Sequence, residues 1–196
     1  MKVTKSIFFL IMIFAIANVS QAQFFLGVQG GIAGSAFSDD VTGDFTDKSA
    51  TGITVGACVG IDALPFIDAG VEYNMLVSPF KLEQEVLGET ATIKISQNMV
   101  GAFARIYLPL VVIDPYARAG VGYYMGSSKY EAAGQTIDDK FKGAIGFNVG
   151  VGVSALFGLY GEFVYHIVSR ELKDVEDAKS LGYNNWALTI GYTFDL

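Results

Sequence analysis

His166 is the only histidine in a chain of 196 residues, so a histidine-dependent hydrolytic site would have to be built on it. A histidine and serine acting together from one strand must share a face, which a His-x-Ser spacing provides, with a carboxylate to orient the ring. Here Ile167, Val168 and Ser169 follow, which puts the serine one residue too far and on the opposite face. His166 therefore reads as an interior hydrogen-bonding group, and no catalytic residue is expected. Asp39, Asp40, Asp44 and Asp47 supply oxygen ligands of the kind calcium takes, but the fixed glycine and closing bidentate Glu of a calcium-binding loop are missing. They read as a solvated acidic loop, and no metal site is expected. Cys58 is the sole cysteine and has no partner for a disulfide or a thiolate metal site. Gly120-Val121-Gly122 and Gly150-Val151-Gly152 look like pieces of a nucleotide-binding fingerprint, yet no βαβ pattern surrounds either, and no cofactor is expected.

The elements that carry these residues are strands. From Asn184 to Leu196, Trp186, Leu188, Ile190, Tyr192, Phe194 and Leu196 share one face, and Asn185, Ala187, Thr189, Gly191, Thr193 and Asp195 share the other. Eight strands are expected, over 24–38, 50–62, 66–78, 91–108, 115–127, 141–155, 159–171 and 184–196. Long polar connections fall at 39–49, 79–90, 128–140 and 172–183, and short ones at 63–65, 110–114 and 156–158. In the fourth strand Ile93 and Ile95 share a face with Gln97 and Arg105, which predicts a bulge or a mid-strand switch.

Lys2 and Lys5 precede an apolar run from Ile7 to Ala17, followed by Ser20-Gln21-Ala22. This predicts a signal peptide over 1–22, cleaved after Ala22, and one domain over 23–196. The run of 11 residues is too short to span a bilayer as a helix, and no cysteine follows the cleavage point to carry a lipid anchor. The net charge is -7, and loss of Lys2 and Lys5 makes it more negative, which argues against nucleic acid as a partner. With 23 Gly, 15 Phe and 10 Tyr and no helical span, membrane residence requires a closed barrel.

Bulky apolar residues fall on the face opposite glycine and charge. Ile145, Phe147, Val149, Val151 and Val153 oppose Gly146, Asn148, Gly150, Gly152 and Ser154, and the third strand repeats the contrast. An eight-stranded ring has an interior only wide enough for side chains, so the bulky face points to lipid. The expected fold is an all-β, eight-stranded antiparallel up-and-down transmembrane barrel. Phe141, Trp186, Tyr192 and Phe194 would form its lipid-facing girdles, Trp186 and Leu196 standing roughly 25 Å apart in height. Inside, Asp68, Glu72, Arg118 and Glu162 fall near the short-turn end, with Arg105 close by and His166 and Arg170 further along the seventh strand. Arg118 is expected to bridge Glu72 or Glu162 as a structural plug.

On the export signal, the strand count, the alternating connections and the terminal Tyr192-Thr193-Phe194-Asp195-Leu196, residues 24–196 resemble the small eight-stranded outer-membrane barrels of the OmpA and OmpX type. The closer resemblance is to the porin-like "outer membrane protein β-barrel domain" family. That resemblance implies the outer membrane of a Gram-negative bacterium, contact with its lipid, and insertion by machinery that reads the last strand. Such strands usually end in an aromatic residue, where this one ends in Leu196. The expected function is a non-enzymatic, porin-like barrel whose interior is too narrow for a large pore. The alternative is an adhesin or an envelope-assembly or secretion accessory acting through acidic extracellular loops or periplasmic turns, with its partner unknown. A soluble ligand-binding barrel conflicts with the outward apolar parity.

Overall fold

Strands dominate because β-branched and aromatic residues alternate with glycine and other small or polar ones along most of the chain. The computed structural model describes residues 23–37, 49–64, 66–77, 79–86, 89–110, 112–132, 135–170 and 181–196. The expected leader over 1–22 and the aspartates at 39–47 lie outside them. The strands are β1 (Phe24–Phe37), β2 (Ser49–Leu64), β3 (Ile67–Leu76), β4 (Phe80–Val86), β5 (Glu89–Tyr107), β6 (Ile113–Ala132), β7 (Gln135–Lys140), β8 (Ala144–Ala155), β9 (Leu159–Arg170) and β10 (Leu181–Asp195). β1 pairs with β2 on one side and β10 on the other, and the order β5-β3-β2-β1-β10-β9-β8-β6 returns to β5 through the β5–β6 pairing. Eight antiparallel staves thus close a barrel.

Two of the expected long connections are hairpins. β4 pairs with the upper part of β5 and β7 with the upper part of β6, so the polar stretches near 79–90 and 128–140 continue the sheet above the barrel. β3 and β4 share one stave, interrupted around Pro79, whose missing N–H suits a break in the ladder. β7 and β8 share another. Because β5 and β6 stay paired as far as Thr92 and Glu131, the two hairpins form one four-stranded wall, β4-β5-β6-β7, standing on one side of the rim.

The outward face is apolar. Ile145, Ile190 and Val151 are 71%, 68% and 61% exposed, while the inward Asn148 and Glu162 are 1% exposed. Lipid reverses the soluble rule because polar groups there must turn to the lumen to find partners. The break expected in β5 does not occur. Its register with β6 runs without a shift from Thr92 to Tyr107, and Ile93 and Ile95 keep the inward parity of Met99 and Arg105. They face inward because the upper lumen is itself apolar, with Phe80, Ile95, Ala33, Ala50 and Ala187 buried together and Leu76 against them. Below, the β8–β9 connection turns through Phe157 and Gly158 at φ 75 and 82. A Cβ at Gly158 would press on the Thr193 backbone, so glycine is required there.

Candidate functional site: the charged layer of the lumen

The inward parity of β3, β5, β6 and β9 delivers five charged side chains to one level. Arg118 on β6 donates from Nη1 to Glu162 Oε1 at 2.6 Å and from Nη2 to Glu72 Oε1. Its Nε reaches Asn148 Oδ1 at 3.4 Å. Arg105 lies directly opposite Arg118 in the β5–β6 register, an arrangement that like charges disfavour. Glu162 offsets it, standing 3.4 Å from Arg105 Nε while holding Arg118 with its other oxygen, and Asp68 lies 3.7 Å from Arg105 Nη1. Two guanidinium groups therefore meet three carboxylates in a layer where Glu72, Arg105, Arg118 and Glu162 are each under 5% exposed.

Neutral donors and rings complete the layer. Tyr116 donates to Glu162 at 3.1 Å, Tyr107 to Asp68 at 2.7 Å, and Asn74 to Glu72 at 2.8 Å. Asn74 in turn accepts from Gln29 at 2.7 Å, and Gln29 accepts from Tyr160 at 3.1 Å. The Arg105 guanidinium sits 4.8, 5.2 and 5.0 Å from the ring centres of Phe103, Tyr116 and Tyr160, close enough for cation–π attraction. The network ties β1, β3, β5, β6, β8 and β9 across the interior. Buried charges of this kind persist only when paired and hydrogen-bonded, since each would otherwise cost several kcal/mol in desolvation.

Other parts of the lumen change character with height. His166 lies above the charged layer, its Nδ1 2.8 Å from the hydroxyl of Tyr124, which packs with Met99 and Val168 under the Phe80–Ile95 cap. A cavity of about 40 Å³ lies between the charged layer and the cap, space for a few waters and nothing larger. A wider vestibule of about 530 Å³ opens at the short-turn end, lined by Asp62, Asp68, Asp114 and Asp195 among others. Cys58 is buried beside Phe25 and Phe103. Among the described residues no group of three or more His, Cys, Asp or Glu is placed to hold a metal ion.

The residues named from sequence thus divide. Asp68, Glu72, Arg105, Arg118 and Glu162 come together, His166 stands apart from their ion pairs, and the side chain of Arg170 lies outside what the structure describes. Trp186 faces outward and stacks on Phe163 at 6.3 Å, and Tyr192 and Phe194 are exposed on the same face, edge to face at 4.6 Å. Phe141 is a correction. It packs against the apolar cap inside the upper lumen and not in a lipid girdle, because residues 141–143 interrupt the stave and reset its parity. Sequence reasoning passed over Tyr107, Tyr116, Tyr160, Gln29 and Asn74, whose inward parity in otherwise outward-apolar strands was the available signal.

Residues 6–194 match the family model of the outer membrane protein beta-barrel domain. Nothing among curated protein sequences matches the chain. The crystal structure of Neisserial surface protein A is similar over 88% of this chain and 99% of that one, with 17% identity and a TM-score of 0.56. The crystal structure of Ail, the attachment invasion locus protein of Yersinia pestis, is similar over 87% of this chain and 98% of that one, with 16% identity and a TM-score of 0.50. At such identities the likeness concerns the fold.

Proposed function

The chain belongs to the outer membrane protein beta-barrel domain family, and we propose that it is a non-enzymatic barrel with a filled lumen, anchoring a four-stranded wall at the cell surface. The observation that carries this reading is Arg118, 4% exposed and held from two sides by Glu72 and Glu162 across the width of the ring. An eight-stranded interior is filled by side chains of ordinary size, and here an ionic layer and an apolar cap occupy it in succession. Water and ions meet two barriers of opposite chemistry. A solute small enough to pass one would be poorly solvated at the other.

The reading is tested by planar-bilayer recording of the refolded mature protein. Wild type is expected to give no stepwise channel openings, whereas Phe80→Ser combined with Arg118→Ser is expected to give them. Sustained wild-type openings would overturn the filled lumen. A second reading, partner binding at the cell surface, is favoured by the axis-facing side of the wall, where Tyr130 and Ile137 pair across strands and remain 39% and 54% exposed. On this reading the barrel is the mount and the wall is the recognition surface. The C-terminal strand β10, which closes the ring on β1, is the segment proposed to engage the insertion machinery.

A further inference from the structure

All five lysines among the described residues, Lys81, Lys94, Lys129, Lys140 and Lys142, lie on the two hairpins or just below them. Three are in direct cross-strand register: Lys81 of β4 faces Lys94 of β5, and Lys94 faces Lys129 of β6. At about 4.8 Å between strands, the three anchor points span about 10 Å. They share the outward parity of Val100 and Val121, as does Lys140 opposite Ser127. Like charges placed directly opposite one another are destabilising, so such a row is retained against its own repulsion. Glu131, 2.7 Å from Lys94 and 3.3 Å from Lys129, offsets part of it, and Asp138 of β7, directly opposite Lys129, closes the row with a negative charge. Lys81 and Lys140 are exposed and have no carboxylate at ion-pair distance among the described residues.

Height gives the row its meaning. The Lys94–Lys129 pair stands four residues above the Asn98–Met125 pair, where outward apolar residues end on β6, and Lys140 stands two above it. At about 3.3 Å per residue and a tilt near 40°, those steps are about 10 Å and about 5 Å along the axis. The headgroup layer of one leaflet occupies about 5–8 Å, and lysine stems bend toward it. Negative charge stands at the end of the row in Asp138, opposite Lys129, and above it in Glu131, two residues beyond Lys129.

We infer that this lysine row is a docking surface for the phosphorylated headgroup of an outer-leaflet lipid. A phosphate monoester carries up to two negative charges and several acceptor oxygens, which a row of ammonium groups about 5 Å apart can share. Lysine suits a headgroup of variable orientation because its ammonium acts as a point charge without the fixed fork of arginine. The site lies on the lipid side of the wall, so its ligand arrives laterally from the membrane. It is separate from the lumen.

The test uses the refolded mature protein in phosphatidylcholine nanodiscs doped with phosphatidic acid, with retained lipid read by native mass spectrometry. Wild type is expected to retain phosphatidic acid in preference to phosphatidylcholine, with a preference that weakens as salt rises. Lys81→Gln, Lys94→Gln and Lys129→Gln should each lower the preference about fivefold, following the usual contribution of one lysine near an anionic surface. The corresponding triple Arg variant should keep it. If the triple Gln variant does not fold, as judged by gel mobility before and after boiling, Lys81→Gln and Lys140→Gln alone decide the matter. An unchanged preference in the Gln variants, or displacement of the retained lipid by inorganic phosphate, would overturn the assignment.

Discussion

Replacing Arg118 with Met removes the central cation of the charged layer and leaves Arg105 to serve Asp68, Glu72 and Glu162. The two freed carboxylates are not left in the same condition. Among the described residues Glu162 keeps Arg105 at 3.4 Å and the Tyr116 hydroxyl at 3.1 Å, whereas Glu72 keeps only the amide of Asn74 at 2.8 Å. Breaking one side of a buried ion pair costs about 3–5 kcal/mol because the survivor stays desolvated, so Arg118→Met is expected to destabilise by that amount. Most of the loss should belong to Glu72. Adding Glu72→Gln to Arg118→Met should therefore recover about 2–3 kcal/mol relative to additivity, and adding Glu162→Gln only about 1 kcal/mol, values within the range of coupling between contacting residues. The assay is denaturant unfolding of the single and double variants in phosphatidylcholine bilayers, followed by circular dichroism and extrapolated to water. Additivity within about 0.5 kcal/mol in both cycles would show that the layer is not energetically connected. A larger coupling to Glu162 than to Glu72 would refute the argument from residual partners.

Two further expectations concern the outer surface. Val151→Arg, at a position 61% exposed to lipid in mid-strand, should cost about 2–4 kcal/mol in bilayers, and folding as stable as wild type would refute the outward assignment of β8. Glu131, above the membrane, has its carboxyl held below the ordinary Glu range chiefly by the hydrogen bond from Lys94. Because the folded value lies below the unfolded one, stabilisation from the contact is complete above the unfolded value and is lost as pH falls through the folded one. A carbon-detected titration of Glu131 should move upward in Lys94→Gln, and an unmoved midpoint would eliminate Lys94 as the cause.

The stave count and the direction of the apolar face are legible in the sequence because a strand between lipid and a crowded interior sorts residues by parity, as β8 does along its length and β10 does from Asn185 to Asp195. Parity also separates Glu72, Arg118 and Glu162 from lipid. Register adds their common height, which sequence alone fixes only loosely because shear slides the staves. The upper lumen was harder to read. β5 carries Ile93, Ile95 and Met99 inward, so apolar residues occupy the face that is polar lower down, and the pattern imitates a bulge. Leu76, out of phase in β3, was a second trace of the same cap. The two hairpins were hidden by their polarity, although Val86 pairs with Glu89 and Ala132 with Gln135 across Leu87-Gly88 and Ala133-Gly134, two-residue connections of a kind common in hairpins.

Trp186 is the only tryptophan in the chain, and it is packed between the strand before its own and the first strand of the barrel. Phe163 belongs to β9, the strand before its own, while Gly34 belongs to β1 and lies beneath the indole, with no room for a side chain in between. The stack on Phe163 is available once β9 and β10 pair, but the seat over Gly34 exists only after the first and last strands meet. The protein thus carries its own fluorescent clock for ring closure. Emission followed during insertion would resolve a local event from the final seam, with no dye attached to the chain.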